Sequence, residues 1–163
     1  MRITHDGKFE RTDIWREGEW VDLWSVVHFL SGISLGFCLY IVHFGAAASV
    51  VLALVLLTAY EMWEAMVQIE ETPANRFMDV VVGMASFLPT FFLVGPVLST
   101  TQFIFVSGLI LTVNIVMSVF GWQASQKAAA LETRLRARYV AKRAQLKERK
   151  ERLRKKLHSD PLP

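Results

Sequence analysis

The chain has 163 residues, 53% of them hydrophobic, a mean hydropathy of +0.33 and a formal net charge of +3. No Asp, Glu, Lys or Arg occurs in 26–60 or 80–126. A soluble domain would carry charged faces there, so that class is excluded and a bilayer protein is implied.

Residues 1–20 form a polar, acidic segment, and 1–22 carries four basic and six acidic groups. No basic n-region and no small-residue cleavage site after a short apolar core is present, so no cleaved signal peptide is expected. The first apolar segment then acts as the membrane signal. Four apolar segments make up a membrane domain over 21–122, at about 21–44, 46–67, 77–97 and 102–122. Each reaches the ~20 residues that cross a bilayer core as a helix. Cys38, the single cysteine, lies in the first of them; it excludes an internal disulfide and reads as a packing residue. Gly45 with Ala46–Ala48 predicts a tight turn between the first two segments, and Thr72-Pro73-Ala74-Asn75 breaks the second from the third. Gly95-Pro96 with Ser99-Thr100-Thr101 breaks the last pair. The third segment holds Gly83, Pro89, Gly95 and Pro96. It reads as a kinked span in preference to a re-entrant hairpin, because neighbouring helices can satisfy the carbonyl that proline frees.

Orientation follows from the end of the chain, where 123–163 holds thirteen Lys and Arg against four acids. Such a basic excess stays in the cytoplasm. Four spans then place the N-terminus and the loop 68–75 on that same side. Trp20, Trp24, Trp63 and Trp122 all fall at the cytoplasmic interface under this topology, as an aromatic belt does. The expected location is the bacterial inner membrane, multi-pass, with both termini cytoplasmic.

Membrane depth brings together residues that are distant in sequence. His28 lies one or two turns into the first span, Glu61 and Glu64 in the last turns of the second, and Asp79 in the first turn of the third. Charge at mid-span costs roughly 2.5 kcal/mol or more, less near the interface, so such groups pair, face a cavity or line a path. Glu61, Glu64 and Gln68 share one helical stripe, and Arg76 and Asp79 another that Gly83 continues. His28, Ser31, Gly32, Leu35 and Gly36 share a face of the first span, and Gly32 with Gly36 forms a G-x-x-x-G pair that lets a neighbouring backbone approach. Three readings stay open. One is a structural ion-pair network in which Arg76 and protonated His28 offset the acids. Another is a ligand site made by His28, Glu61, Glu64, Gln68, Arg76 and Asp79. It would hold a lipid head group, or a divalent metal on His28, Glu61, Glu64 and Asp79, whose donor set suits Zn²⁺, Mn²⁺ or Fe²⁺. The last is acid–base chemistry on a lipid-linked substrate through Glu64, Asp79 and His28. No Ser or Cys nucleophile has an evident base partner, which favours a non-enzymatic role. Glu70 and Glu71 lie in the loop and read as a solvated pair.

A His early in one span, Glu64 near the end of the next, then Gln68, Arg76 and Asp79 leading to Gly83 resembles the VanZ-like family, and the YjdF-type small bacterial membrane proteins share the layout. The resemblance covers about 24–88. The Glu64–Gln68 interval is one residue longer than the family's E-x-x-Q, and Val80–Val82 fill the place of the family asparagine. The resemblance implies a small polytopic inner-membrane protein and carries over Glu64, Arg76, Asp79 and His28.

On the fourth span Ser107, Asn114, Ser118 and Gly121 share a face, and Asn114 reads as interhelical glue. From 123 to 158 the chain contains no Gly or Pro, which predicts a long basic cytoplasmic helix, with 159–163 frayed. Tyr139, Leu146 and Leu153 repeat at seven, but Lys142, Arg149 and Lys156 take the companion positions, which disfavours a coiled coil. Lys142, Arg143, Lys147, Arg149, Lys150, Arg152, Arg154, Lys155 and Lys156 suit anionic lipid head groups. Tyr139 is the lone aromatic of this segment, so base stacking has little support and nucleic acid is disfavoured. Partner subunits of a membrane complex are the remaining class for the tail. The expected fold is all-α, a four-helix integral membrane bundle with a long basic C-terminal helix.

Overall fold

The computed structural model describes residues 2–3, 9–10, 14–15, 18, 20–66 and 72–159. Within these, four helices are long and apolar enough to cross a membrane. They are α1 (Leu23–Ile41), α2 (Ala46–Met66), a third run over Pro73–Val97, and α5 (Thr100–Ser159). The third run comprises α3 (Pro73–Pro89), a π-helical turn (Thr90–Val94) and the short α4 (Gly95–Val97). Contacts divide the chain into one unit over 14–125 and another made of 1–13 with 126–163.

Local chemistry sets the helix starts in the first unit. Asp22 caps α1: its Oδ1 accepts from the backbone N–H of Trp24 (2.7 Å) and Ser25 (3.2 Å), and Ser25 Oγ accepts from the N–H of Asp22 (3.2 Å). At α3, Thr72 Oγ1 accepts from the N–H of Asn75 at 3.1 Å, and Pro73 takes the first helical position, where a missing N–H does no harm. The helix therefore begins four residues before the expected 77, and Thr72-Pro73-Ala74-Asn75 starts a helix as well as breaking one. α1 ends at a turn in which His43, not Gly45, takes a left-handed conformation (φ 56°).

The third run is helical throughout. Pro89 lacks the N–H that would close a regular turn, and the ladder widens after it, so that the N–H of Gly95 reaches the carbonyl of Thr90. Thr90 Oγ1 donates to the Ser86 carbonyl at 2.8 Å. A continuous, proline-interrupted run replaces the re-entrant alternative.

Pairings fix the directions. His28, Gly32, Gly36 and Tyr40 on α1 meet Asp79, Gly83, Thr90 and Gly95 in that order, so α1 and the third run are parallel. Glu61 and Leu57 of α2 meet His28 and Gly83, which makes α2 antiparallel to both. The closest packing is between α1 and α3. A methyl group on Gly32 would overlap the Gly83 carbonyl oxygen and Ser86 Oγ, and Ser86 Oγ donates across the crossing to the Phe29 carbonyl at 2.7 Å. Beyond this crossing Leu39, Ala53, Phe87 and Phe91 form an apolar core drawn from all three helical runs.

The α5 stretch up to Ser125 meets α1 through a few side chains. Asn114 Nδ2 donates to Ser31 Oγ at 3.1 Å, the interhelical bond expected of it. Phe103 packs edge-on against Phe37, with ring centroids 5.1 Å apart. Trp15 is a buried residue that the polar N-terminal segment concealed. It lies over Gly121, stacks edge-on against Trp24 at 5.2 Å, and accepts a hydrogen bond from Trp24 Nε1 on its carbonyl. Cys38, expected to pack inside, is exposed. It lies nearly opposite Gly36 around α1, and the glycine face is the one that α3 covers.

In the second unit Arg2–Ile3 pairs antiparallel with Phe9–Glu10, the one departure from helix among the described elements. Its α5 portion carries ion pairs at i, i+4, such as Arg136 with Glu132 at 2.9 Å. The fray expected from 159 begins later, since Ser159 still belongs to α5; 160–163 and the side chains of Leu153 and Lys156 lie outside the described residues, as do Val67, Gln68, Glu70 and Glu71.

Candidate functional site

Three helices deliver one side chain each to a common point. His28 comes from α1, Glu61 from α2 and Asp79 from α3, and one ligand-type atom from each lies within 4.8 Å of the others. All three are buried, at 5%, 5% and 1% exposure. The imidazole stands between the two carboxylates: Nδ1 is 3.4 Å from Glu61 Oε1, and Nε2 is 3.9 Å from Asp79 Oδ2. Tyr60 places its ring edge-on to the imidazole, with centroids 5.6 Å apart.

Asp79 reaches this point because Gly32 and Gly83 let α1 and α3 touch along their backbones one turn further on. Glu61 does so because Leu57, one turn earlier on α2, packs against Gly83. The glycine pair and the His–acid juxtaposition thus arise from one crossing.

Two more residues extend the cluster towards the start of α1. Asn75, fully buried, donates from Nδ2 to Asp79 Oδ2 at 3.3 Å and to Asp22 Oδ2 at 3.1 Å. Asp22 Oδ2 also accepts from the Gly18 N–H at 2.7 Å. Neither Asp22 nor Asn75 was among the expected site residues. In sequence, Asp22 groups with the polar N-terminus and Asn75 with a loop. The signals that could have found them are a cap Asp followed three residues later by Ser, and the Thr-Pro helix start that puts Asn75 one turn before Asp79.

No family model, curated protein or solved structure matches this chain.

Of the expected ligand residues, the structure brings together His28, Glu61 and Asp79. Glu64, the next turn of α2, is half-buried and outside the group of three, and Arg76 is half-buried one turn before Asp79. Gln68 lies outside the described residues. Chemically, two buried carboxylates and one imidazole can share a cation or a proton. The formal charge of these three groups by themselves is negative even with the imidazole protonated, and burial favours arrangements that balance such charge. A divalent cation held by one ring nitrogen and the two carboxylates would offset it.

Proposed function

We propose that this chain is a small multi-pass protein of the bacterial inner membrane whose His28–Glu61–Asp79 cluster binds a divalent cation. Both termini face the cytoplasm in this reading, which puts the cluster in the inner leaflet. The observation that carries it is the convergence of one nitrogen and two carboxylate donors, each from a different apolar helical run. Nitrogen and oxygen donors fit Zn²⁺, Mn²⁺ or Fe²⁺. The likeness to the VanZ-like family belongs to the same proposal: His28 and Asp79 lie in the cluster, and Glu64 and Arg76 flank it. The test is calorimetric titration of the EDTA-treated protein in detergent with Zn²⁺ and Mn²⁺. One site per chain is expected, with about 2.7 kcal/mol of added stability at a hundredfold excess over Kd. A flat titration with both ions and with Fe²⁺ overturns the reading.

The basic end of α5 is proposed to hold anionic lipid head groups. Supporting it, the described side chains from Lys142 to Lys155 are exposed along one uninterrupted helix, and the described members of the lipid-surface set, Lys142, Arg143, Lys147, Arg149, Lys150, Arg152, Arg154 and Lys155, lie there. Each such charge near an anionic surface contributes about 1 kcal/mol. Native mass spectrometry of the protein with phosphatidylglycerol and phosphatidylcholine should show preferential retention of the anionic lipid. Deleting 127–163 should remove that preference, and an unchanged preference in the truncated chain would sink the assignment.

A further inference from the structure

We infer that the cation reaches the cluster from the end at which Asp22 caps α1, by way of Asp22 and Asn75, and that the opposite direction is closed. The inference rests on the cation-binding reading above and adds its route. On one side of the cluster, polar atoms continue without a gap. The Gly18 N–H, Asp22 Oδ2, Asn75 Nδ2 and Asp79 Oδ2 follow one another at 2.7, 3.1 and 3.3 Å, and Asp79 Oδ2 is the atom that faces His28. Exposure falls along the same line, from half-buried Asp22 to fully buried Asn75 and then Asp79. On the other side, the next turn of α1 and α3 is the Gly32–Gly83 backbone contact, with Leu57 laid against it and the Leu39–Ala53–Phe87–Phe91 core behind. The buried hydroxyls of the third run in that direction, Ser86 and Thr90, are already bound to main-chain carbonyls, and no carboxylate lies there among the described residues.

Asp22 also explains how a cation would be drawn in. It is the outermost carboxylate of the chain of contacts, and one amide group ties it to the inner carboxylate of Asp79. A fixed negative charge at the mouth of a low-dielectric cleft raises the arrival rate of a cation. Asn75 is the positioning residue between them, because its amide holds Asp79 Oδ2 beside the imidazole while its own backbone is fixed by Thr72.

Asp22→Asn keeps a cap on α1 but sets an amide nitrogen against the Gly18 N–H and Asn75 Nδ2, so thermal unfolding in EDTA is measured beside the kinetics to show that the variant is folded. Stopped-flow mixing of the EDTA-treated protein with Mn²⁺, followed by chase with chelator, gives kon and koff. A residue on the route slows both, so D22N is expected to lower each by about tenfold and leave Kd within about threefold. Asp22→Ser, which also caps, should behave alike. Unchanged kon and koff in D22N and D22S would place Asp22 off the route and overturn the inference. A rise in koff with kon unchanged would make Asp22 a ligand, which also overturns it. Absence of Mn²⁺ and Zn²⁺ binding by the wild-type protein would be a failure of the cation site itself, seen before any variant is made.

Discussion

Asp79→Asn is expected to abolish divalent-cation binding while leaving the cation-free protein as stable as wild type, or slightly more so. The two halves of that outcome come from different physics. Asp79 is 1% exposed and supplies one of three donors, and its amide replacement is a poor ligand. Loss of an outer-shell partner alone typically costs 10–100-fold in affinity, so loss of a direct ligand should exceed about 100-fold. Without a cation, however, Glu61 and Asp79 flank a single imidazole and repel each other, and removing one negative charge relieves that repulsion. A structural ion-pair network gives the opposite sign. Breaking a buried pair leaves a charge uncompensated and destabilises by about 3–5 kcal/mol, with or without metal. Thermal unfolding in detergent, run in EDTA and again in saturating Zn²⁺ for both proteins, decides between them. A D79N variant that melts far below wild type in EDTA would return the cluster to a purely architectural role.

The second large effect is expected at a residue with no side chain. Gly32→Ala should destabilise the protein by about 1–3 kcal/mol, the range for forced overpacking, although alanine is the better helix former by about 1 kcal/mol. The added methyl would overlap a carbonyl oxygen of α3, which is main chain and cannot rotate away, so the helices must part. Parting them also separates His28 from Asp79, each one turn before its glycine, and cation affinity should fall with stability. Gly108→Ala is the matched control. Nothing lies within 4 Å of the position its methyl would take, so it should be neutral or mildly stabilising. Equal behaviour of the two variants would refute the close crossing of α1 and α3.

Much of this was legible in the sequence. Apolar run length located four membrane-competent helices because a bilayer demands nearly constant span length. Depth alone placed His28, Glu61 and Asp79 at one level, and the Gly32–Gly36 face pointed to the contact that joins them. Sequence could not choose between Glu61 and Glu64, which are one turn apart on the same stripe; the choice depends on where α3 lies. Asn75 was hidden because Thr72 and Pro73 resemble a breaker, and only the cap geometry shows that they open α3. Trp15 was hidden for a different reason. It sits among charged neighbours, and its burial depends on Gly121, more than a hundred residues later in the chain.

The widened turn after Pro89 has a geometric consequence for insertions and deletions. At about 100° per residue, a regular helix would carry Gly95 about 120° around from Gly83, whereas one residue absorbed in the wide turn brings it back to within about 20°. That return is what seats Gly95 against the Tyr40 ring, where an added methyl would come within 2.9 Å. The third run thus keeps two docking points on a single partner helix by carrying one surplus residue between them. Excising any one residue from Thr90–Val94 would regularise the coil and still leave its far end within about 20° of that partner, whereas inserting one there would swing it off by a further 100° or so, while the half bearing Asp79 stayed in phase.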